Sequence, residues 1–238
     1  MAVILENERI TEGIYRMRLS GAPAGRAGQF VMLRQKGALD PFLGRPVSLF
    51  DADRETGGIT LVYQAAGRGT ALFSKLLPGQ EMDAQGPYGN GFPLLPGDAV
   101  LIGGGIGSAP LYLLLKELRA AEPGRQIEVY LGFREEAYLR EEFAALADTA
   151  RVNIGGYVTG DVDFTQNAAY YACGPVPMLR AAAAAAAAAD ARLYVSLERR
   201  MACGAGACLG CSIPTASGNR RVCKDGPVFP YREVRDVL

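Results

Sequence analysis

Four cysteines lie close together near the end of the 238-residue chain, in a stretch made largely of glycine and alanine. Across "MACGAGACLGC" and the later "RRVCKDGPVF", their spacing is Cys203-x4-Cys208-x2-Cys211-x11-Cys223. A packed core has no evident use for thiols in so bare a loop. Closely spaced cysteines in a reducing compartment bind metal or do redox chemistry more often than they form disulfides. The spacing therefore predicts a metal or redox centre.

The first three cysteines match the C-x4-C-x2-C part of the plant-type [2Fe–2S] pattern, in which a fourth ligand follows later. Gly204, Gly206 and Gly210 would let the loop curl and turn its backbone N–H groups toward the sulfurs. Basic side chains that could offset the negative charge flank the loop: Arg199, Arg200, Arg220, Arg221 and Lys224. The pattern favours an iron–sulfur cluster.

Two other uses of these thiols stay open at this point. One is a structural zinc site of four cysteines, although such sites usually pair two C-x2-C knuckles, and here only Cys208 and Cys211 form one. The other is a set of free thiols. The fifth cysteine of the chain, Cys173, lies far from the group in sequence and is left over from a four-ligand site.

Composition excludes several function classes. The chain has no histidine, which removes histidine-based triads, HExxH zinc hydrolases and Rieske centres. Its 25 basic and 25 acidic residues give no net attraction to nucleic acid or to an anionic membrane. The N-terminal "MAVILENERITEG" lacks the basic and long apolar regions of a secretory signal, so we expect a cytoplasmic protein.

The elements that must position these residues fall into three predicted regions. Residues 1–96 contain short β-runs such as "IYRMRLSG", "GQFVMLRQ", "RPVSLFDA" and "GITLVYQAAG", which favour an antiparallel sheet or small barrel. Residues 97–196 alternate strand and helix, which indicates a parallel sheet with a nucleotide-binding architecture. Residues 197–238 are too few for another ordinary core and need a staple. The alanine tract 181–189 predicts a helix without assigned function.

Two glycine-containing turns lie where strands of the second region should end. "LIGGGIGSAP" contains Gly103, Gly104, Gly105 and Gly107, and glycines at such a turn let backbone amides approach a phosphate. The run is not GxGxxG, because Pro110 occupies the position of the third glycine, and a merely tight turn is the alternative. "YYACGPVPM" places Cys173, Gly174 and Pro175 at a later strand end, with a buried structural cysteine as the alternative.

The β-rich half offers a third set of candidates. In "LGRPVSLF", the guanidinium of Arg45 suits a phosphate and the hydroxyl of Ser48 suits a ring heteroatom. Side chains three residues apart point to opposite faces of a regular strand, so one ligand could meet both only near a strand end or edge. "GRGTALFSKLL" places Gly69 and Thr70 at a helix start, which favours an anion. Each motif alone is more often structural.

In combination the motifs are recognisable. The order R-P-x-S, G-x-G-T, "GPYGNGF", "GGGIGSAP" and "CGPVPM" resembles the ferredoxin–NADP reductase superfamily over residues 1 to about 196. The C-terminal "SLERRMACGAGACLGC" and "VCKDGPVF" narrow this, so that the whole chain resembles the electron-transfer subunit family of dihydroorotate dehydrogenase B. One departure is Tyr88, where the family leads us to expect a leucine-like residue.

The resemblance implies three cofactors and their ligands. FAD would be held by Arg45, Pro46, Val47, Ser48, Val62, Tyr63, Gln64, Gly69 and Thr70. The nicotinamide nucleotide would lie against Gly103, Gly104, Gly105, Gly107, Cys173, Gly174 and Pro175. One [2Fe–2S] cluster would be bound by Cys203, Cys208, Cys211 and Cys223.

The resemblance also implies a reaction for the chain. Electrons from dihydroorotate would leave the FMN of a separate catalytic subunit, cross the cluster to FAD and reduce NAD⁺ in pyrimidine biosynthesis. The flavin stands between because it exchanges electrons in pairs and singly. We expect a heterotetramer with two of each subunit, no membrane or nucleic-acid partner, and no catalytic acid or base on this chain, because dihydroorotate is deprotonated on the partner.

The sequence leaves two alternatives and one specificity open. One alternative is a subunit of an NADH-dependent ferredoxin:NADP oxidoreductase or a related flavin reductase. The other, non-enzymatic, is a zinc-stapled nucleotide-binding interaction protein. The segment "GFREEAY" does not decide between NAD and NADP. Arg134 would favour the 2′-phosphate of NADP, whereas the acids Glu135 and Glu136 would favour the ribose hydroxyl of NAD. The resemblance favours NAD.

Overall fold

An antiparallel barrel opens the fold. The computed structural model describes residues 2–53, 55 and 57–238, and its first strands close in the order β1-β2-β5-β4-β3-β6. The strands are β1 (Ala2–Thr11), β2 (Ile14–Ser20), β3 (Phe30–Gln35), β4 (Arg45–Asp53), β5 (Gly58–Gln64) and β6 (Glu81–Tyr88). Beyond the β-runs found in the sequence, β1 and β6 complete the barrel.

The barrel interior is apolar. Met17, Leu33, Leu49, Leu61 and Met82 are fully buried inside it, as alternation along each strand requires. Helix α1 (Arg68–Phe73) follows β5. The Asn7 side-chain amide ties this helix to the barrel by donating hydrogen bonds to the Phe73 and Leu76 carbonyls, both at 2.8 Å.

A parallel sheet follows the barrel. Its strands are β7 (Ala99–Gly104), β8 (Ile127–Phe133), β9 (Thr149–Ile154), β10 (Ala169–Cys173) and β11 (Arg192–Ser196), in the spatial order β11-β10-β7-β8-β9. The helices are α2 (Ala109–Ala121), α3 (Arg140–Ala144) and α4 (Val176–Ala188). A 3₁₀ turn, Gly105–Ser108, joins β7 to α2. The predicted antiparallel barrel followed by a parallel α/β sheet is confirmed.

Helix α2 docks the sheet onto the barrel. Lys116 on α2 forms an ion pair with Asp51 on β4, with Nζ 2.6 Å from Oδ1. Glu117 accepts a hydrogen bond from the Ala27 backbone N–H at 3.1 Å. Arg16 on β2 pairs with Glu142 on α3. These polar contacts fix the relative orientation of the two sheets and therefore the shape of the space between them.

The C-terminal residues do not form a separate layer. Strands β12 (Ser212–Thr215) and β13 (Gly218–Arg221) make a hairpin, and β14 (Val228–Pro230) adds antiparallel to β11 at the edge of the parallel sheet. The predicted domain bounds, 1–96, 97–196 and 197–238, stay a prediction. Among the described helices none is long and apolar enough to cross a membrane.

Candidate functional site

A cavity of about 270 Å³ lies where the barrel, the parallel sheet and the C-terminal segment meet. All three parts of the chain contribute to its wall. From the barrel come Phe30, Pro46, Val47, Ser48, Val62, Tyr63, Gln64, Ala66 and Thr70; from the sheet Ile106, Gly107, Pro110, Cys173 and Ser196; and from the following segment Leu197, Glu198, Arg199, Met201 and Pro227. A ligand in this cavity would touch three regions at once.

The strand ends of β4 and β5 supply the barrel wall. Ser48 on β4 lines the cavity together with Gln64 at the end of β5. Tyr63 also lines it, and its hydroxyl donates a hydrogen bond to Asn7 Oδ1 at 3.0 Å. Burial raises the pKa of Tyr63 well above its ordinary value. Tyr63 is therefore an uncharged residue of the cavity wall, and its side chain is held in place by Asn7 and Tyr15.

Arg45 lies beside the cavity rather than in its wall. Its Nη1 donates a hydrogen bond to the Leu43 carbonyl at 2.7 Å. A Cβ added to Gly69 would lie 2.6 Å from Arg45 Nε, so only glycine allows the guanidinium to lie against the start of α1. Thr70, next in the chain, does line the cavity. Arg45 and Ser48 are thus separated, as the alternation of a strand requires.

The two glycine turns predicted to bind a nucleotide pack directly against each other. A Cβ added to Gly107 would lie 2.6 Å from Gly174 Cα and 2.7 Å from the Cys173 carbonyl oxygen. A Cβ added to Gly104 would lie 2.8 Å from Pro175 Cδ. The turns can approach this closely only because glycines form them.

Of the residues predicted for the nicotinamide nucleotide, two reach the cavity wall. These are Gly107 and Cys173. Gly105 has a φ of +53° and open space where a side chain would be, which leaves its backbone accessible. Gly103 packs against Ser108. Four residues of this set do not line the cavity and instead pack closely within the two turns: Gly103, Gly104, Gly174 and Pro175.

Cys173 faces the cavity as a neutral thiol. It ends β10 and is 3% exposed. Burial raises its pKa to about 12, with a smaller contribution from the Glu198 carboxylate. Cys173 is therefore both buried and part of the cavity wall, and its contact with a ligand stays a prediction.

Sequence reasoning missed the part of the wall that follows β11. Glu198 and Arg199 line the cavity. Removal from water raises the pKa of the Glu198 carboxyl. Their position directly after a parallel strand could have indicated this, because ligands bind at the carboxyl ends of such strands. Phe30 carried no signal in the sequence, since its place depends on barrel closure.

The four clustered cysteines are arranged as two pairs. The Cys203 and Cys208 side chains contact each other, and Cys203 Sγ also accepts a hydrogen bond from the Cys208 backbone N–H at 3.4 Å. The Cys211 and Cys223 side chains contact each other in the same way, with the Cys223 N–H 3.4 Å from Cys211 Sγ. Cys211 and Cys223 are buried, whereas Cys208 is exposed.

Backbone geometry favours a thiolate at Cys203. Backbone N–H groups, that of Cys208 foremost, lower the pKa of Cys203 to about 6. Gly204 and Gly206 have positive φ values, +68° and +83°, which aim the loop's amides inward. Gly210 does not take a positive φ, and Leu209 before it takes the left-handed conformation instead, with a φ of +57°. The Gly210 N–H nevertheless turns toward a sulfur as expected, because it donates to Cys208 Sγ at 3.5 Å.

Arg221 binds a carboxylate and a backbone carbonyl of this region, so it is not an unpaired positive charge beside the sulfurs. It forms an ion pair with Asp225, with Nε 2.9 Å from Oδ2, and this pairing lowers the pKa of Asp225 to about 2. Its Nη1 also donates a hydrogen bond to the Gly206 carbonyl at 3.3 Å. Of the basic residues expected to offset charge, this one is largely neutralised by a carboxylate.

The four clustered sulfurs form two pairs that could each hold one metal ion. Two thiols on one side and two on the other suit two metal ions with two thiolates each. The donor set is sulfur only, which is typical of iron–sulfur ligation.

Comparison with known proteins identifies the fold and the family. Residues 198–235 match the family described as the iron-sulfur cluster binding domain of dihydroorotate dehydrogenase B. A solved structure described as an NADH-dependent reduced ferredoxin-NADP oxidoreductase superposes with a TM-score of 0.87 and 28% identity, covering 98% of this chain and 89% of that one.

Two curated relatives align over nearly the whole chain. One, from Clostridium perfringens, is 37% identical over 240 residues, covering 97% of this chain and 96% of the relative. Another, from Geobacillus kaustophilus, is 41% identical over 245 residues, covering 94% of each. Both are named "Dihydroorotate dehydrogenase B (NAD(+)), electron transfer subunit". On this similarity, the chain belongs to the family of electron-transfer subunits of dihydroorotate dehydrogenase B (NAD(+)).

Proposed function

We propose that this chain passes electrons from a catalytic partner subunit to NAD⁺, through a [2Fe–2S] cluster on its cysteines and FAD in its cavity. One observation carries the proposal. A single cavity is walled by Ser48 of the barrel, Gly107 of the nucleotide turn and Leu197 at the start of the segment that leads into the cysteine loop. A flavin there would adjoin both a nucleotide site and the cluster module.

In this proposal the barrel holds FAD. Pro46, Val47 and Ser48 on β4 and Val62, Tyr63 and Gln64 on β5 present an apolar wall with a few polar groups, which suits an isoalloxazine ring. Arg45 and Gly69, which lie against each other beside Thr70, would receive the diphosphate. The fixed, neutral Tyr63 ring would hold the flavin against this wall.

The two packed turns would receive the nicotinamide nucleotide. Gly103, Gly104, Gly105 and Gly107 lead into α2, and Cys173, Gly174 and Pro175 lead into α4, so both approach a ligand with backbone at helix starts. Cys173 remains a thiol near neutral pH, because its pKa is about 12. It would therefore face the ring as an uncharged surface that excludes water.

The cysteines would bind the cluster in pairs. Cys203 and Cys208 would hold one iron, and Cys211 and Cys223 the other. Gly204 and Gly206 keep the loop tight, and backbone N–H groups stabilise the sulfur charge. When bound, FAD exchanges electron pairs with NAD(H) and single electrons with the cluster.

The partner follows from the family. The relatives are named electron transfer subunits of dihydroorotate dehydrogenase B, so this chain would serve a catalytic subunit that oxidises dihydroorotate. We propose that this partner contains FMN, that two copies of each subunit form a heterotetramer, and that the complex is cytoplasmic. The absence of histidine is compatible with this division, because the deprotonation of dihydroorotate would take place on the partner.

A second function has one specific observation in its favour. The structure described as an NADH-dependent reduced ferredoxin-NADP oxidoreductase is 28% identical to this chain over nearly its whole length. A subunit of such an enzyme would use the same cofactors with a different partner. Relatives at 37% and 41% identity favour dihydroorotate as the electron source.

Anaerobic purification of the chain tests the cofactor content directly. We expect one FAD, two irons and two acid-labile sulfides per chain, and no zinc. NADH should bleach the flavin absorbance and produce the EPR signal of a reduced [2Fe–2S] cluster. A colourless protein that contains zinc and no flavin would contradict the proposal.

A further inference from the structure

Phe30 occupies a position between the cavity and the cysteine loop. It begins β3, where it pairs with Ser48 on β4 on one side and with Tyr88 on β6 on the other. Phe30 is 3% exposed and lines the cavity. Phe30 therefore adjoins the proposed flavin wall on one side and Tyr88, the last residue of β6, on the other.

Tyr88 continues this contact toward the cysteines. Its ring and that of Phe30 have centroids 5.9 Å apart and planes tilted by 47°. A Cβ added to Gly204 would lie 3.5 Å from Tyr88 Cδ2 and 2.9 Å from Met32 Sδ. The backbone of the loop between Cys203 and Cys208 therefore rests on Tyr88 and Met32.

The material between the two sites is apolar. Phe30 and Met32 belong to the same buried cluster of side chains as Cys211 and Cys223, and Tyr88 packs against that cluster. Met32 is 5% exposed. The route from the cavity wall to the buried pair of sulfurs therefore passes through packed apolar side chains.

We infer that Tyr88 is a positioning residue for the cluster, acting with Phe30 and Met32 as a packed bridge that fixes the cysteine loop relative to the flavin cavity. The inference rests on the proposed function. Tyr88 packs on Phe30 and borders the position that a side chain at Gly204 would occupy, so it acts on the cluster through the loop. A smaller side chain would leave a void beneath Gly204, whose positive φ already makes the loop dependent on this support.

The electron balance of the bridged step is simple. Each passage moves one electron from the cluster to the flavin, or back when NADH is the donor, and two passages match one hydride. The bridge forms and breaks no bond. It sets the separation and the packing across which each electron passes.

Because leucine is the side chain that the family leads us to expect at this position, Tyr88→Ala tests the inference. We expect it to retain FAD and to turn over NADH with dichlorophenolindophenol at the rate of the unchanged protein. Its reduced cluster should give a broadened or shifted EPR spectrum, and stopped-flow reduction of the cluster by NADH should slow roughly tenfold, as displacement of reacting groups predicts. Tyr88→Phe should restore both, because it keeps the ring.

Tyr15→Ala is the matched control. Tyr15 is also a barrel tyrosine, and its ring stacks on that of the cavity-lining residue Tyr63 with centroids 5.7 Å apart. Tyr15 lies on β2, away from the cysteine loop, so the cluster spectrum and the cluster reduction rate of this variant should be unchanged. If Tyr88→Ala does not fold, Met32→Ala removes the other support of Gly204 and decides in the same assays.

Two results would overturn the inference. One is an unaltered EPR spectrum and cluster reduction rate in Tyr88→Ala. The other is an equal change in Tyr15→Ala. Failure of the proposed function is distinguishable from either, because the unchanged protein would then contain no flavin or no cluster.

Discussion

Phe50 on β4 lies flat on Tyr112 of α2, with ring centroids 4.5 Å apart and ring planes 8° apart. Tyr112 also meets the edge of Phe143 on α3 at 5.7 Å. This stack joins the barrel to the parallel sheet next to the ion pair of Lys116 with Asp51. The cavity between the two sheets is therefore shaped by a contact outside its own wall.

Tyr112→Ala should lower the free energy of unfolding by about 2–3 kcal/mol, because it removes an aromatic stack and leaves a cavity. It should also slow reduction of the flavin by NADH, since the turn and the barrel lose their fixed orientation. Thermal unfolding and stopped-flow flavin reduction measure the two effects. Tyr112→Phe keeps the stack and should change neither; an equal loss in both variants would argue against the stack.

Arg45→Ala should weaken FAD binding at least about tenfold. A hydrogen bond to a charged group contributes about 1.5–3 kcal/mol, and 1.4 kcal/mol corresponds to a factor of ten. Flavin retained after gel filtration, or titration of the apoprotein with FAD, measures the change. Arg34→Ala is the control, because Arg34 pairs with Asp83 at 3.0 Å on neighbouring strands. Unchanged FAD affinity in Arg45→Ala would remove Arg45 from the flavin site.

Cys211→Ser should lose the cluster iron and the transfer of electrons to or from the partner. Turnover of NADH with a two-electron dye should remain, because that reaction needs FAD alone. Iron analysis and the EPR signal of the reduced protein measure the loss. Cys173→Ser is the control for iron content, since Cys173 lies in the cavity wall. Intact iron in Cys211→Ser would disprove its assignment as a ligand.

Gly107→Ala should raise the KM for NADH and destabilise the fold by about 1–3 kcal/mol. The added methyl would lie 2.6 Å from Gly174 Cα, so the two turns must separate. Gly124→Ala is the control, because a Cβ added there would have no described atom within 4 Å other than those of Gly124 and its two chain neighbours. NADH titration and thermal unfolding compare the two. A KM that rises equally in both would mean that the packed turns do not bind the nucleotide.

Much of this arrangement could be predicted from sequence because the relevant signals are local. A strand followed by a glycine turn and a helix predicted β7, the turn and α2, and a second strand end placed Cys173 at the same edge. Cysteine spacing alone indicated an iron–sulfur site. The barrel residues Ser48 and Gln64 were found through the order of motifs rather than by any one of them.

Other features depend on contacts between distant parts of the chain. Strand β1 (Ala2–Thr11) is buried only at Ala2 and Ile4 among its first residues and is then largely exposed, so its charged sequence resembles a loop. The wall after β11, with Glu198, becomes part of the site only when the segment folds back across the barrel. Neither feature leaves a periodic signal.

Tyr88 illustrates the same limit. The sequence marked it only as a departure from a leucine-like residue. Its contacts with Phe30 and Gly204 become visible only when barrel closure brings β3, β6 and the cysteine loop together. The packing role of Tyr88 could therefore be recognised only from the folded structure.

The central claim is that electrons pass from dihydroorotate on the catalytic partner, through this chain, to NAD⁺. Its most direct test is NADH formation by the complete complex, assembled anaerobically from this chain and its catalytic partner, with dihydroorotate and NAD⁺ as substrates. We predict that orotate and NADH appear in equal amounts, and that neither forms at a comparable rate when Cys211→Ser replaces the unchanged chain. Orotate formation that continues with NAD⁺ in the absence of this chain, or NADH that fails to appear with it, would contradict the account.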